Sequence, residues 1–266
     1  MKNILILCFI ATLALGCNDA KNKEQTAETV GSEDVQKTDE NILNFEINPI
    51  SHATMVLLWD GNVMYVDPVG GAEAFEDFET PDLILVTDIH GDHMNVETLL
   101  AVTADATRII APAAVEKNFP EELKAKTTIL ANGKLAHPAG MESFSIEAIP
   151  MYNLREEALK FHEKGRGNGY VIEQKGKRVY ISGDTEDIPE MRALKNIDVA
   201  FVCMNLPYTM TVDSAADAVI AFAPRKVYPY HYRGTEGLSN VAKFNSLVKN
   251  SAAAVQVVQL DWYPVE

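Results

Sequence analysis

The chain has 266 residues, 47% of them apolar, enough for a sizeable core in one large domain or two small ones. Its 38 acidic and 23 basic residues give a net charge of −15. No basic field exists to displace phosphate counterions, so nucleic acid is excluded as a general partner.

Residues 1–17 read as a targeting segment and not as part of the fold. Lys2 is a charged start, Ile4 to Leu15 is an apolar run, and Gly16 precedes Cys17. The run is too short to span a bilayer as a mature helix. Ala14–Leu15–Gly16–Cys17 resembles a bacterial lipoprotein signal. That resemblance implies cleavage before Cys17, a lipid on its sulfur and an extracytoplasmic protein anchored to a bacterial membrane. It would face the periplasm or the cell surface. An ordinary secreted protein cut nearby is the competing reading. Cys8 leaves with the signal and Cys203 sits in an apolar run, so no disulfide framework exists. Residues 18–41 are polar and charged, with too little apolar surface to order themselves, and read as a flexible tether.

The globular domain is expected over residues 42–266. Asn44 to Asn48 alternates weakly, and the apolar runs Ala53 to Trp59 and Val63 to Val66 flank Asp60–Gly61, a strong hairpin signal. His52 stands before this hairpin and Asp67–Pro68 after it. Gly70 to Thr80 is an acidic loop. Asp82 to Val86 is wholly apolar beyond its first residue and reads as a strand buried on both faces. A short helix is expected over Val96 to Val102, a buried strand over Thr107 to Ala111, and a helix over Ala113 to Ala125 broken at Pro120. Thr128 to Leu130 is a brief strand, and Phe144 to Met151 is a strand ending at Tyr152–Asn153. The charged excursion Leu154 to Arg166, which contains His162, follows it. Gly169 to Glu173 and Arg178 to Ile181 form a hairpin around Lys175–Gly176–Lys177. Val199 to Met204 is a buried strand, Ser214 to Phe222 an amphipathic helix stopped by Pro224, and Lys226 to Tyr230 a strand that delivers His231. A helix over Asn240 to Val248 and a strand over Ala254 to Leu260 close the chain. Strands and helices alternate after a strand-rich start, so one α/β domain with two sheets is expected.

The segment from Thr87 to His93 carries Asp88, His90, Asp92 and His93 around Gly91, directly after the buried strand. Groups this dense repel or desolvate one another unless a cation sits among them. Other strands also end in ligand-type residues: Met151 runs to Asn153, Ile181 to Asp184, and Tyr230 to His231. In layered α/β folds, sites collect beyond the carboxyl ends of strands. This convergence brings Asp184 and His231 to the first cluster.

With those residues in place the chain resembles the metallo-β-lactamase superfamily, whose first motif is His-x-His-x-Asp-His. Asp88, His90, Asp92 and His93 align with it, Gly183–Asp184–Thr185 with the later bridging aspartate, and His231 with the last histidine. Within the superfamily it is most similar to the branch holding ascorbate-6-phosphate lactonase. The resemblance implies a four-layer αββα sandwich with one or two divalent ions at an edge, and hydrolysis by a metal-bound hydroxide. Asp184 would bridge the ions, and Asp92 would ligate and orient the attacking group. His52 is a candidate contact to substrate or ligand. Two departures stand out. Asp88 occupies a position usually held by histidine, which shifts preference from zinc towards manganese or iron. The third histidine of the first half-site is missing, and Asn153 stands roughly in its place. His162 could swing in from the following loop to replace it. The substrate class stays open among esters, lactones, amides and phosphodiesters. The alternatives are a membrane-tethered phosphodiesterase of the phospholipase D type, acting on a lipid-like substrate, and a non-catalytic metal-binding lipoprotein.

Overall fold

The computed structural model describes residues 45–264, so the expected signal segment, Cys17 and the tether lie outside the described residues. Strands β1 (Phe45–Ser51), β2 (Thr54–Trp59) and β3 (Asn62–Val66) form an antiparallel meander. The β2–β3 turn has both central residues in the left-handed region, Asp60 at φ 50° and Gly61 at φ 78°. That is the backbone an Asp-Gly hairpin turn requires. Strands β4 (Leu83–Leu85), β5 (Arg108–Ala111) and β6 (Thr127–Ile129) then add in parallel, completing a six-stranded sheet in the order β1 to β6.

The second sheet has seven strands. β7 (Leu135–Ala136), β8 (Phe144–Met151), β9 (Gly167–Gln174) and β10 (Lys177–Ile181) run antiparallel to their neighbours. β11 (Val199–Val202) and β12 (Lys226–Pro229) continue it in parallel. After a two-stranded ribbon, β13 (Arg233–Gly234) and β14 (Gly237–Leu238), strand β15 (Gln256–Val257) closes the edge beside β12.

Period-two alternation along the strands builds the layers. Met55, Leu57, Trp59, Leu83 and Leu85 share one core with Phe144, Ile146, Tyr170 and Ile172 of the second sheet. Trp59 meets Phe144 edge-on, with ring centroids 5.4 Å apart. Val56, Tyr65, Ile84 and Val86 face the other way and pack with Leu99, Val115, Phe119 and Leu123. Those four come from helix α1 (Val96–Val102) and from the short helices α2 (Ala113–Glu116) and α3 (Glu121–Lys124) with the Phe119 turn between them. The break at Pro120 falls where the sequence indicates. Helix α4 (Pro189–Arg192) and the longer α5 (Val212–Phe222) and α6 (Val241–Lys249) supply Met191, Ala215, Val219, Phe222 and Phe244 to the core of the second sheet. Thr211 caps α5 by accepting from Ser214 N, and Asn240 caps α6 through Lys243 N. The result is the expected αββα sandwich. Cys203 follows β11 in full burial, which pushes its thiol up to about 12 and leaves it inert.

Candidate metal centre

At one rim the two sheets are tied together by backbone as well as side chain. Asn168 N donates to Thr87 O at 2.9 Å, and Tyr170 Oη donates to Val86 O at 2.8 Å. Beyond that tie β4 ends and the chain turns, with His93 N and Met94 N both donating to His90 O. The turn sends Asp88, His90, Asp92 and His93 towards residues leaving β8, β10 and β12.

One group is Asp92, His93 and His231, whose donor atoms lie within 4.8 Å of one another. Asp184 completes it. His231 Nε2 is 3.3 Å from Asp92 Oδ2 and 3.3 Å from Asp184 Oδ1, while His93 Nε2 is 3.4 Å from Asp184 Oδ2 and 4.0 Å from Asp92 Oδ1. Four donors at roughly 2.1 Å from a tetrahedral ion would sit roughly 3.4 Å apart. The spacing fits a cation better than it fits hydrogen bonds. His93 Nε2 and Asp184 Oδ1 are buried without any hydrogen-bond partner, an expensive state unless something else satisfies them.

A second group is Asp88, His90 and His162. His162 Nε2 lies 3.3 Å from Asp184 Oδ2 and 3.9 Å from Asp88 Oδ2, so Asp184 stands between the two groups. His162 stands on the loop after β8. Its Nδ1 faces Tyr208 O at 3.2 Å. A carbonyl only accepts, so Nδ1 carries a proton, and Nε2 is turned towards Asp184 and Asp88. Asn153, the other candidate for this place, is used differently. Its amide nitrogen donates to Ala158 O at 2.8 Å and Tyr208 O at 2.6 Å, and its backbone N donates to His162 O. Asn153 therefore pins the loop that carries His162.

The sequence places Asp67 at a strand end without giving it a role, and it gives none to Asn205 or Arg166. Asp67, fully buried at the end of β3, accepts from Thr87 N at 2.7 Å and Thr87 Oγ1 at 2.6 Å and holds His93 Nδ1 at 2.8 Å. Asn205, just past β11, places Nδ2 3.5 Å from Asp184 Oδ2 and 3.3 Å from His231 Nε2. Both obey the strand-end rule that located Asp184 and His231. Arg166 binds Asp88 through two nitrogens, and no strand end announces it. His52 lies behind the cluster: its ring meets His231 edge-on at 5.5 Å, and its Nδ1 is 3.4 Å from Tyr263 Oη. It is not among the residues lining the cleft described below.

The electrostatics suit a cation. Burial alone would raise the Asp184 carboxyl, but His231 and His93 hold it well below the usual carboxylate range. Burial likewise opposes ionisation of Asp92, yet its contacts with His231 and His93 keep it low. His93, penalised by burial, is lifted well above the ordinary imidazole value by Asp184 and Asp67. His52 is lowered, first by burial and then by the neighbouring His231. These shifts favour charged Asp92 and Asp184 and a protonated His93, and a cation would compete with that proton. The backbone is shaped for this arrangement at some cost: His52, Asp67 and His231 adopt φ values of 50°, 45° and 43°. Left-handed conformations in non-glycine residues cost roughly 1–2 kcal/mol each. His231 N donates to His52 O at 3.2 Å, joining two of these residues.

The donors open onto a cleft of about 260 Å³ lined by His90, Asp92, Phe161, His162, Asp184, Asn205 and Tyr208. Phe161 and Tyr208 pack edge-on at 5.1 Å and form its aromatic wall.

The fold and this rim are those of the beta-lactamase superfamily, and the superfamily's domain model matches residues 46–231. The chain belongs to that superfamily. A UPF0173 metal-dependent hydrolase of Pyrococcus abyssi is 30% identical over 185 residues, covering 68% of this chain and 80% of the relative. The crystal structure of a protein from Parabacteroides distasonis, described as a metal-dependent hydrolase, shares 38% identity at a TM-score of 0.71. That match covers 81% of this chain and 92% of the other. Igni18, a metallo hydrolase of Ignicoccus hospitalis, shares the fold at a TM-score of 0.66 with 21% identity, over 81% of this chain and 94% of its own.

Proposed function

We propose that this protein is a metal-dependent hydrolase that cleaves neutral carboxylic esters or lactones. The observation that carries this reading is the set of buried, unpartnered donors around Asp184, spaced for a cation and open to a cleft. Asp92, His93, Asp184 and His231 would hold one divalent ion, and Asp88, His90 and His162 with the shared Asp184 a second, of zinc, manganese or iron. An ion held there would act as a Lewis acid and lower the pKa of water from 15.7 to about 7.

The chain's own groups supply orientation. Asp92 keeps 46% of its side-chain surface exposed towards the cleft and can align an attacking water. Asn205 has its amide oxygen fixed by Thr209 Oγ1 at 2.5 Å, so its NH₂ faces the cleft side, where negative charge would develop on substrate oxygen. His52 buttresses His231 from behind. The aromatic pair Phe161 and Tyr208 suits an apolar portion of the substrate.

A neutral ester or lactone is favoured over a phosphodiester because nearby basic side chains are committed elsewhere. Arg155 binds Glu186 at 2.6 Å and Lys164 binds Glu190 at 2.8 Å. The resemblance to the branch holding ascorbate-6-phosphate lactonase supports a lactone as the scissile group. The test compares chelator-stripped protein with protein reloaded with zinc or manganese on matched lactones, carboxylic esters and phosphodiesters. Turnover of esters or lactones only after reloading is expected. Turnover confined to phosphodiesters would move the reading to a phospholipase D-like enzyme. Tight metal binding with no turnover would make this a metal-binding lipoprotein without catalysis. We propose as well that a lipid on Cys17 holds the chain at a bacterial membrane, on the strength of the Ala14–Leu15–Gly16–Cys17 pattern.

A further inference from the structure

The two half-sites differ in what already neutralises them. Among the described residues, the ion pairs of Asp92 and Asp184 are with imidazoles. Asp88 is met by a guanidinium instead. Arg166 Nε donates to Asp88 Oδ1 at 3.1 Å and Nη2 to Oδ2 at 2.8 Å, a two-pronged pair on a fully buried carboxylate. The same Nη2 lies 3.5 Å from His90 Nε2 and donates to the Phe161 carbonyl. His90 Nδ1 takes a further contact on Asp88 Oδ2 at 2.8 Å. Where His93 Nε2 and Asp184 Oδ1 are left without partners, both oxygens of Asp88 are in use.

A guanidinium cannot release its proton at any working pH. A cation entering beside Asp88, His90 and His162 therefore meets a carboxylate whose charge is already cancelled and a fixed positive charge at close range. Among the described residues, no guanidinium or ammonium pairs with Asp92 or Asp184. His162 and Arg166 stand on the same loop, four residues apart, so one segment carries both a candidate ligand and its competitor.

Resting on the metal-centre reading above, we propose that Arg166 makes the two half-sites unequal. The chain loads one divalent ion at Asp92, His93, Asp184 and His231, and a second reaches Asp88, His90 and His162 only by displacing the guanidinium. Arg166 is thus a positioning residue that sets how many ions the centre holds at a given metal concentration.

The experiment is calorimetric titration of zinc into the chelator-stripped full chain, with the electronic absorption of cobalt as a second readout of each step. The wild-type protein is expected to bind in two resolved steps, the second weaker by roughly tenfold or more. In Arg166→Met the first step should stay in place and the second strengthen by roughly ten- to a hundredfold. Arg166→Lys keeps the charge but loses the two-pronged fit, and should fall between them. Two ions of equal affinity in the wild type would overturn the proposal, as would a second step unmoved in both variants. If circular dichroism shows Arg166→Met unfolded, the wild-type isotherm and Arg166→Lys still decide. Absence of any tight ion in either step would overturn the metal-centre reading itself, an outcome distinct from equal loading.

Discussion

Asp67 shows how much of this centre depends on a residue that touches no candidate ion. Its oxygens hold Thr87 and the Nδ1 of His93, which fixes that ring's proton and turns Nε2 towards Asp92 and Asp184. Burial raises the Asp67 carboxyl and the contact with His93 works against that rise. Asp67→Asn keeps the shape but weakens the acceptor and brings an NH₂ against existing donors. Zinc affinity, measured by chelator competition, should fall roughly ten- to a hundredfold. Unchanged affinity would mean that packing alone orients His93. The sequence pointed to Asp184 and His231 because each leaves a buried strand, and the same logic extends to Asp67 and Asn205. Arg166 was not legible in that way. It meets Asp88 across 78 residues of chain, from the last residue of a loop with no periodicity, directly before β9.

At the scale of elements, local chemistry and long-range contact divide the work. The turn at Asp60–Gly61, the break at Pro120 and the capped start of α5 follow from residues within a few positions of each feature. The loop of residues 154–166 does not. Glu186 holds its start by accepting from Leu154 N, Arg155 N and Arg155 Nε, and Tyr208 O receives both Asn153 and His162. Charge composition alone therefore identified an excursion but not where its histidine would land. The Asn205–Tyr208 segment of the cleft has its own constraint at Gly234, where an added Cβ would lie 1.7 Å from Leu206 O. The obstacle is backbone, so the strand or the Asn205–Tyr208 segment must move. Gly234→Ala should cost more than about 2 kcal/mol in denaturant unfolding and weaken zinc binding through displaced Asn205. A variant with wild-type stability and affinity would show that this segment is free to shift.

For the whole molecule, the two sheets serve to bring strand ends from distant parts of the sequence to one rim. The alternation of strands and helices made one α/β domain with two sheets readable, and the αββα layering came from the resemblance to the superfamily. It could not show register between sheets, which depends on cross-sheet pairs such as Trp59 with Phe144 and Tyr170 with Val86. Among the described residues no helix is long and apolar enough to cross a membrane. The proposed route to membrane attachment is the lipid on Cys17. Cys17→Ser should move the protein from the membrane to the soluble fraction. Persistence in the membrane fraction after a high-salt wash would sink the lipid anchor without touching the metal centre.

The central claim is that Asp184 joins two cation sites which together perform hydrolysis. It is tested most directly by measuring bound metal and turnover side by side in the wild type, Asp184→Ala and His231→Ala. Both substitutions remove donors at the rim and leave the inter-sheet core intact, so circular dichroism should match the wild type. Metal content should drop in both variants, furthest in Asp184→Ala, and ester or lactone turnover should be lost with it. Folded variants that keep full metal content, or that lose metal and still hydrolyse, would contradict the account.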